Sequence, residues 1–214
     1  MDTLEVCSEE KGVAAMIHVT PQPEPEDFDR TVRQKGLTWL ENNGIDLNSP
    51  LPVGTKIYSY WTKCLHSLYT AYGGYCAYLA IFLDKSTGSC TVEHFVPKSQ
   101  RPDLAYEWSN YRLSCRQINS RKLNFNDVLD PFEVEDGWFQ LELVSGHIFP
   151  NPHLSDNLIK RVKNTIDRLG LDNSDNKEMR AMRYLYYCKG LVTDEYLKLD
   201  SPFVWMEAKR QGLL

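Results

Sequence analysis

The sequence predicts an α+β domain, a small strand–strand–helix unit set among α-helices. Three observations predict it. Residues 90–95 (CTVEHF) and 111–114 (YRLS) are short strand candidates, and residues 115–124 after them can form a helix. Apolar residues recur at spacings of three and four across 56–72 and 157–169, the mark of amphipathic helices. No internal repeat or low-complexity segment suggests another architecture.

Residues 1–30 read as an acidic, extended leader, because PQPEPEDF spaces its prolines by two. Residues 30–43 carry Val32, Leu37 and Leu40, enough for a short helix, and 47–54 is a turn-rich link. Residues 56–72 predict one helix marked by Ile57, Trp61, Cys64, Leu65, Leu68 and Tyr72, ended by Gly73-Gly74. Pro97 closes the first strand candidate, and 102–108 is a loop or helical turn. Beyond the unit, 128–132 and 138–143 read as extended, and IFPNPHLSD as a lead into the helix at 157–169. Gly170 suits that helix's C-cap. A further helix runs from near Asn176 to Cys188, and a last one starts after Val192. These boundaries give a leader at 1–30, a main domain at 31–195 with its core at 75–124, and a helical tail at 196–214.

Composition excludes several classes. Hydrophobic residues make up 42% of the 214, which supports a packed core. The longest apolar run, near AYLAIFL, is far too short to cross a bilayer, and the acidic N-terminus does not read as a signal peptide. A cytoplasmic protein with no membrane partner is therefore expected, with its six cysteines reduced. No glycine-rich P-loop is present, so ATP hydrolysis by that route is excluded. The net charge of −5 argues against nucleic acid until its distribution is examined. Residues 1–30 hold eight acids against two bases, whereas 93–122 hold six bases against three acids. The strand–strand–helix unit is locally basic, as a phosphate-binding surface requires.

Within that unit, Glu93 and His94 end a strand, Asn110 follows sixteen residues after His94, and Asn119 nine after that. Phosphodiester hydrolysis needs an activated water and a sink for developing negative charge. A neutral imidazole can take the water's proton near pH 7. A hard divalent ion on oxygen ligands can stabilise the phosphoryl group. Glu93 and Asn119 offer such oxygens, and Asn110 can fix the loop bearing His94. Lys122, Arg121, Arg116 and Lys98 are the candidate phosphate contacts. Each residue also has a plainer role: a packed histidine, a turn asparagine, a cap.

The stretches YCAY, TVEHFVPKS and WSNYRLSCRQIN, with the RK after them, resemble the signature of the HNH, or ββα-metal, endonucleases. The resemblance implies that His94 is the general base, Glu93 and Asn119 ligate magnesium or manganese, and Asn110 holds the loop. A broader likeness, through IHVTPQPEPEDF, LDPFEVEDGWFQLELVSGHIFPNP and TIDRLGLD, points to the HNH component of Septu-type and retron-associated anti-phage systems. There the implied partner is an ABC-type ATPase. Many members of the family carry a structural zinc on two C-x-x-C knuckles. Here each knuckle keeps only its first cysteine, Cys76 or Cys115, with Leu79 and Ile118 in place of the second. Two thiolates make a poor structural zinc site, so an apolar plug is expected there and no zinc, the alternative being a zinc completed by His66 or Cys90. The functions to be weighed are cutting of DNA, cutting of RNA such as transfer RNA, and a non-catalytic adaptor on the same fold.

Overall fold

The computed structural model describes residues 18–214; the first part of the leader, with Cys7, lies outside the described residues. Seven α-helices and two antiparallel two-stranded sheets follow in order, an α+β arrangement. They are α1 (Gln34–Asn42), α2 (Leu65–Ala71), β1 (Cys90–His94), β2 (Tyr111–Cys115), α3 (Arg116–Lys122), β3 (Phe139–Glu142), β4 (His147–Pro150), α4 (Asp156–Leu169), α5 (Ser174–Cys188), α6 (Asp194–Asp200) and α7 (Pro202–Arg210). β1 pairs with β2 in the register Cys90↔Cys115 to His94↔Tyr111, and β3 pairs with β4. The helices stop where local chemistry stops them. Ser155 caps α4 through the Leu158 amide, and Gly170 ends it at φ 59°, a backbone region that costs glycine little.

The second part of the leader carries no helix from 18 to 25, in keeping with its prolines, and is packed; against the expectation, the chain is helical from Phe28, where a π-helical turn, Asp29–Arg33, runs into α1. Val19 is buried and its amide donates to the Pro131 carbonyl at 2.9 Å. The Trp108 indole donates to the Gln22 carbonyl, and Phe28 sits in the core. Arg33 gathers Glu24, Asp29 and Glu107 around one guanidinium, so part of the leader's acidity is neutralised locally.

Four further expectations need correction. Residues 56–72 are not one helix: a 3₁₀ turn, Tyr60–Cys64, precedes α2. The backbone just before it is engaged elsewhere, with the Tyr58 carbonyl accepting from the Tyr106 hydroxyl at 2.6 Å. The apolar spacing reported burial of Ile57, Cys64 and Leu68 rather than continuous helix. Residues 128–132 form no strand, because Asp130 accepts from the Phe132 amide and pairs with Arg112, which bends the chain. Residues 148–150, read as the start of a lead-in, belong to β4. The last helix is two, α6 and α7, separated where Ser201 leaves helical geometry and Pro202 restarts it.

The tail packs into the same core as the rest. The Glu207 carboxylate accepts from the Leu141 amide at 2.8 Å and Gln211 donates to the Leu141 carbonyl, which ties α7 to β3. The expected boundary at 195 falls inside α6. No helix among the described residues is long and apolar enough to cross a membrane.

Candidate active site

Two strands and a short helix bring the candidate residues together. β1 carries Glu93 and His94 at its end, β2 opens directly after Asn110, and α3 presents Asn119, Arg121 and Lys122. The loop at 95–110 is held by Asn110. Its side-chain oxygen accepts from the Val96 amide at 2.7 Å, and its nitrogen donates to the carbonyls of Val96 and Leu104 at 3.0 Å each. Three backbone groups that a loop would otherwise leave to solvent are satisfied by one buried amide.

His94 is 7% exposed. Its ring stands edge-on between Trp61, 4.7 Å away, and Tyr111, 5.1 Å away. Nε2 lies 2.9 Å from the Ala105 carbonyl. A carbonyl only accepts, so Nε2 carries the proton and Nδ1 keeps its lone pair. Nδ1 has no partner among the described residues and is the ring's remaining acceptor. Burial, followed by the charge of Lys98, pushes the pKa down to about 3. The imidazole is therefore a neutral acceptor across the physiological range.

Glu93 lies in the interior beside it. One oxygen pairs with the Lys122 ammonium at 2.9 Å, and the other accepts from the Tyr78 hydroxyl at 2.7 Å. Burial raises the carboxyl pKa, and Lys122 and Tyr78 oppose the rise. Lys122 is fully buried, and its ammonium also donates to the carbonyls of His94 (3.1 Å) and Phe95 (2.6 Å). An ammonium has three donors, and all three are used inside the protein. The expectation that Lys122 meets a phosphate is thus corrected. It is an internal counter-ion that also pins the two carbonyls around the end of β1.

Asn119 donates through Nδ2 to the Thr91 hydroxyl (3.1 Å) and the Val92 carbonyl (3.3 Å), which leaves Oδ1 facing the other way with no partner among the described residues. Arg121 is half-committed, reaching the Gly170 carbonyl at 3.2 Å and tying α3 to the end of α4. Arg116 is exposed, with a long contact of 3.4 Å to the Gly88 carbonyl. Lys98 is half-buried, its ammonium 5.1 Å from the centre of the Trp61 ring, and it joins no ion pair among the described residues. Burial lowers its pKa, Glu93 pulls the other way, and Lys122 adds to the fall.

The local basic excess is smaller at the surface than in the sequence. Arg112 is buried and paired with Asp130 at 2.5 and 2.8 Å, its guanidinium 3.4 Å above the Phe132 ring. Arg101 pairs with Asp103. Among the described residues Lys98, Arg116 and Arg121, the last tied to the Gly170 carbonyl, remain as the cations of this stretch free of carboxylates.

The half-knuckles also converge. Cys76 and Cys115 are both buried. Burial raises the Cys76 thiol, but the neighbouring Cys115 and the amides of Cys115, Leu79 and Tyr78 bring it below the ordinary range. The neighbouring Cys76, then burial, pushes Cys115 up. Leu79 and Ile118 are both buried in the core. Among the described residues no three His, Cys, Asp or Glu side chains cluster as metal ligands.

Trp61, Tyr78, Tyr111 and the Ala105 carbonyl belong to the site and were not singled out from the sequence. Tyr78 and Tyr111 lie inside the matching stretches YCAY and WSNYRLSCRQIN. Trp61 sits thirty-three residues before His94 and carries no local mark of its role.

The sequence matches no known protein-family profile. Over 56 residues it is 34% identical to the Septu protein PtuB of Bacillus thuringiensis, a match covering 26% of this chain and 22% of that relative. The similarity supports a Septu-related link over about a fifth of that protein's length.

Proposed function

We propose that the chain is a divalent-metal-dependent endonuclease in which His94 is the general base. One observation carries the proposal: the Ala105 carbonyl fixes the imidazole proton on Nε2, which leaves Nδ1 as an acceptor with no partner among the described residues. A structural histidine gains nothing from an unpartnered lone pair, whereas a base needs one.

Magnesium or manganese suits oxygen donors of this kind: Asn119 Oδ1 has no partner among the described residues, and Glu93, whose charge the Lys122 ammonium balances, has one partner on each oxygen and would share its carboxylate between that ammonium and the ion. Glu93 and Asn119 would hold the ion, which when bound stabilises charge on the phosphoryl oxygens. The rest falls to the chain itself. His94 takes the proton of the attacking water at Nδ1. Its Nε2–H stays on the Ala105 carbonyl, which fixes the ring plane. Tyr111 donates to the same carbonyl at 2.9 Å and holds the acceptor in place. Asn110 keeps the loop carrying Lys98 and Ala105 in register. Lys98, over the Trp61 ring that packs against His94, supplies positive charge to the phosphate in place of Lys122.

The likeness to a Septu protein supports a role in anti-phage defence; the resemblance read in the sequence adds the role of effector and an ABC-type ATPase as partner. DNA is the proposed substrate; because the water attacks phosphorus without a 2′-hydroxyl, RNA is the alternative. The test is cleavage of plasmid DNA and transfer RNA with magnesium or manganese, alone and with the co-purified ATPase. His94→Ala should cut at least about 10²-fold more slowly while folding and complex formation are retained. Unchanged defence activity in that variant would defeat the nuclease and leave a non-catalytic adaptor.

A further inference from the structure

A row of aromatic rings, with Tyr106 fully buried at its middle, joins His94 to a surface that carries cations free of carboxylates. Trp61 is the first ring, 4.7 Å from His94. Tyr106 follows at 5.9 Å from Trp61, Tyr60 at 6.1 Å from Tyr106, and Tyr58 at 4.4 Å from Tyr60. Tyr58 is 54% exposed, and Tyr60 and Trp61 are half-buried. Tyr60 also borders a groove of about 480 Å³ against α1, lined with Arg30, Lys35, Trp39, Gln34 and Asn42. No carboxylate lines that groove, and neither Arg30 nor Lys35 joins an ion pair among the described residues.

The arrangement is rigid where it must be. The Tyr106 hydroxyl bonds the Tyr58 backbone, so the Tyr58 ring is free to face solvent while its main chain is fixed. α1 approaches Tyr106 so closely that a Cβ on Gly36 would lie 2.2 Å from the ring. That packing sets the distance between the groove and the rings.

A duplex offers phosphates but hides the faces of its bases. An unpaired strand offers both. Rings exposed at one end of a row, cations along it and amide side chains in the groove match the second. We propose that this track binds an unpaired nucleic-acid strand and leads it to His94, with bases stacked on Tyr58, Tyr60 and Trp39 and phosphates on Arg30, Lys35 and Lys98. The proposal rests on the nuclease reading and names the form of its substrate.

The test separates the two. Fluorescence anisotropy in the presence of a chelator measures binding without cutting. The probes are a single-stranded DNA of roughly a dozen nucleotides, within the usual range of such sites, the RNA of the same sequence, and the corresponding duplex. Tyr58→Ala and Trp39→Ala should each weaken binding of the single strands by about tenfold and of the duplex by less than about twofold. Tyr58 is exposed enough to be removed without unfolding, should Trp39→Ala prove unstable. Lys35→Ala should reduce the salt dependence of binding by about one unit of slope. Unchanged single-strand binding in Tyr58→Ala, or equal losses on strand and duplex, would overturn the track. If the wild type cuts with magnesium and the aromatic variants bind normally, the track alone fails. If binding follows the expected pattern but no divalent ion gives cutting, the nuclease reading alone fails.

Discussion

The molecule contains two units of the same plan, an antiparallel hairpin followed by a helix, with opposite interiors. β1–β2–α3 encloses Glu93, His94, Asn110, Arg112 and Lys122, all buried. β3–β4–α4 encloses Phe139, Leu141, Ile148, Val162 and Ile166. The connections differ too. The first hairpin is joined by the loop 95–110, the second by the turn 143–146, where Gly146 at φ 71° lies against the backbone of α5. The shared topology therefore does not decide what a unit does. A polar interior holds together only while every partner is present, and in exchange it keeps a charge and a base in place. An apolar interior tolerates the loss of one side chain better and offers no chemistry.

The largest expected effect breaks the first interior. Lys122→Met removes the cation facing Glu93 and strips two carbonyls of their donor. Removing one partner of a buried pair costs about 3–5 kcal/mol, read from urea denaturation. Adding Glu93→Leu to Lys122→Met should recover part of the loss, because the orphaned charge is then gone. A cost below about 1 kcal/mol for Lys122→Met would mean that the ion pair does not organise this unit.

Leu141→Ala tests the second interior. Leu141 is 1% exposed, and truncation should cost about 2–5 kcal/mol. Cutting per folded molecule should stay at the wild-type level, since no residue of β3 reaches the candidate site. A fall in cutting measured on folded protein would show that the two units are not independent.

The sequence made the first unit more legible than the second for a physical reason. His94, Asn110 and Asn119 are polar residues at fixed spacings, and strand, loop and helix follow from local signals such as Pro97 and the β-branched Thr91 and Val92. β4 was hidden because IFP reads as apolar in any conformation, and only pairing with β3 makes it a strand. The helical spacing in 56–72 was real as a burial pattern and misleading as a continuous helix, since Tyr106, far along the chain, claims the Tyr58 carbonyl. The same long-range packing hid Trp61 beside His94. Charge was the least legible property. Arg112 and Lys122 counted as a basic surface, whereas Asp130 and Glu93 hold them inside.

The smallest expected effect sharpens the contrast through pH. The ordinary histidine pKa of 6.5 falls to about 3 at His94, first through burial and then through Lys98. Between those values the unfolded chain binds a proton that the folded protein does not. Stability from this group is complete above pH 6.5 and is lost as pH falls toward 3, by up to about 1.4 kcal/mol per pH unit. Glu93 contributes with the opposite sign, because burial raises its pKa and favours the protonated folded form. That contribution is common to the wild type and His94→Asn, so their difference isolates the imidazole. Denaturation of the metal-free proteins from pH 7 to pH 4.5 should show the wild type losing stability faster than His94→Asn. Leu141→Ala should lower the whole curve and leave its slope unchanged, because an apolar side chain binds no proton. Parallel curves for the wild type and His94→Asn would mean that the imidazole is as well solvated in the folded protein as in the unfolded chain. That would remove the ground for treating the first hairpin as the unit that keeps a neutral base in its interior.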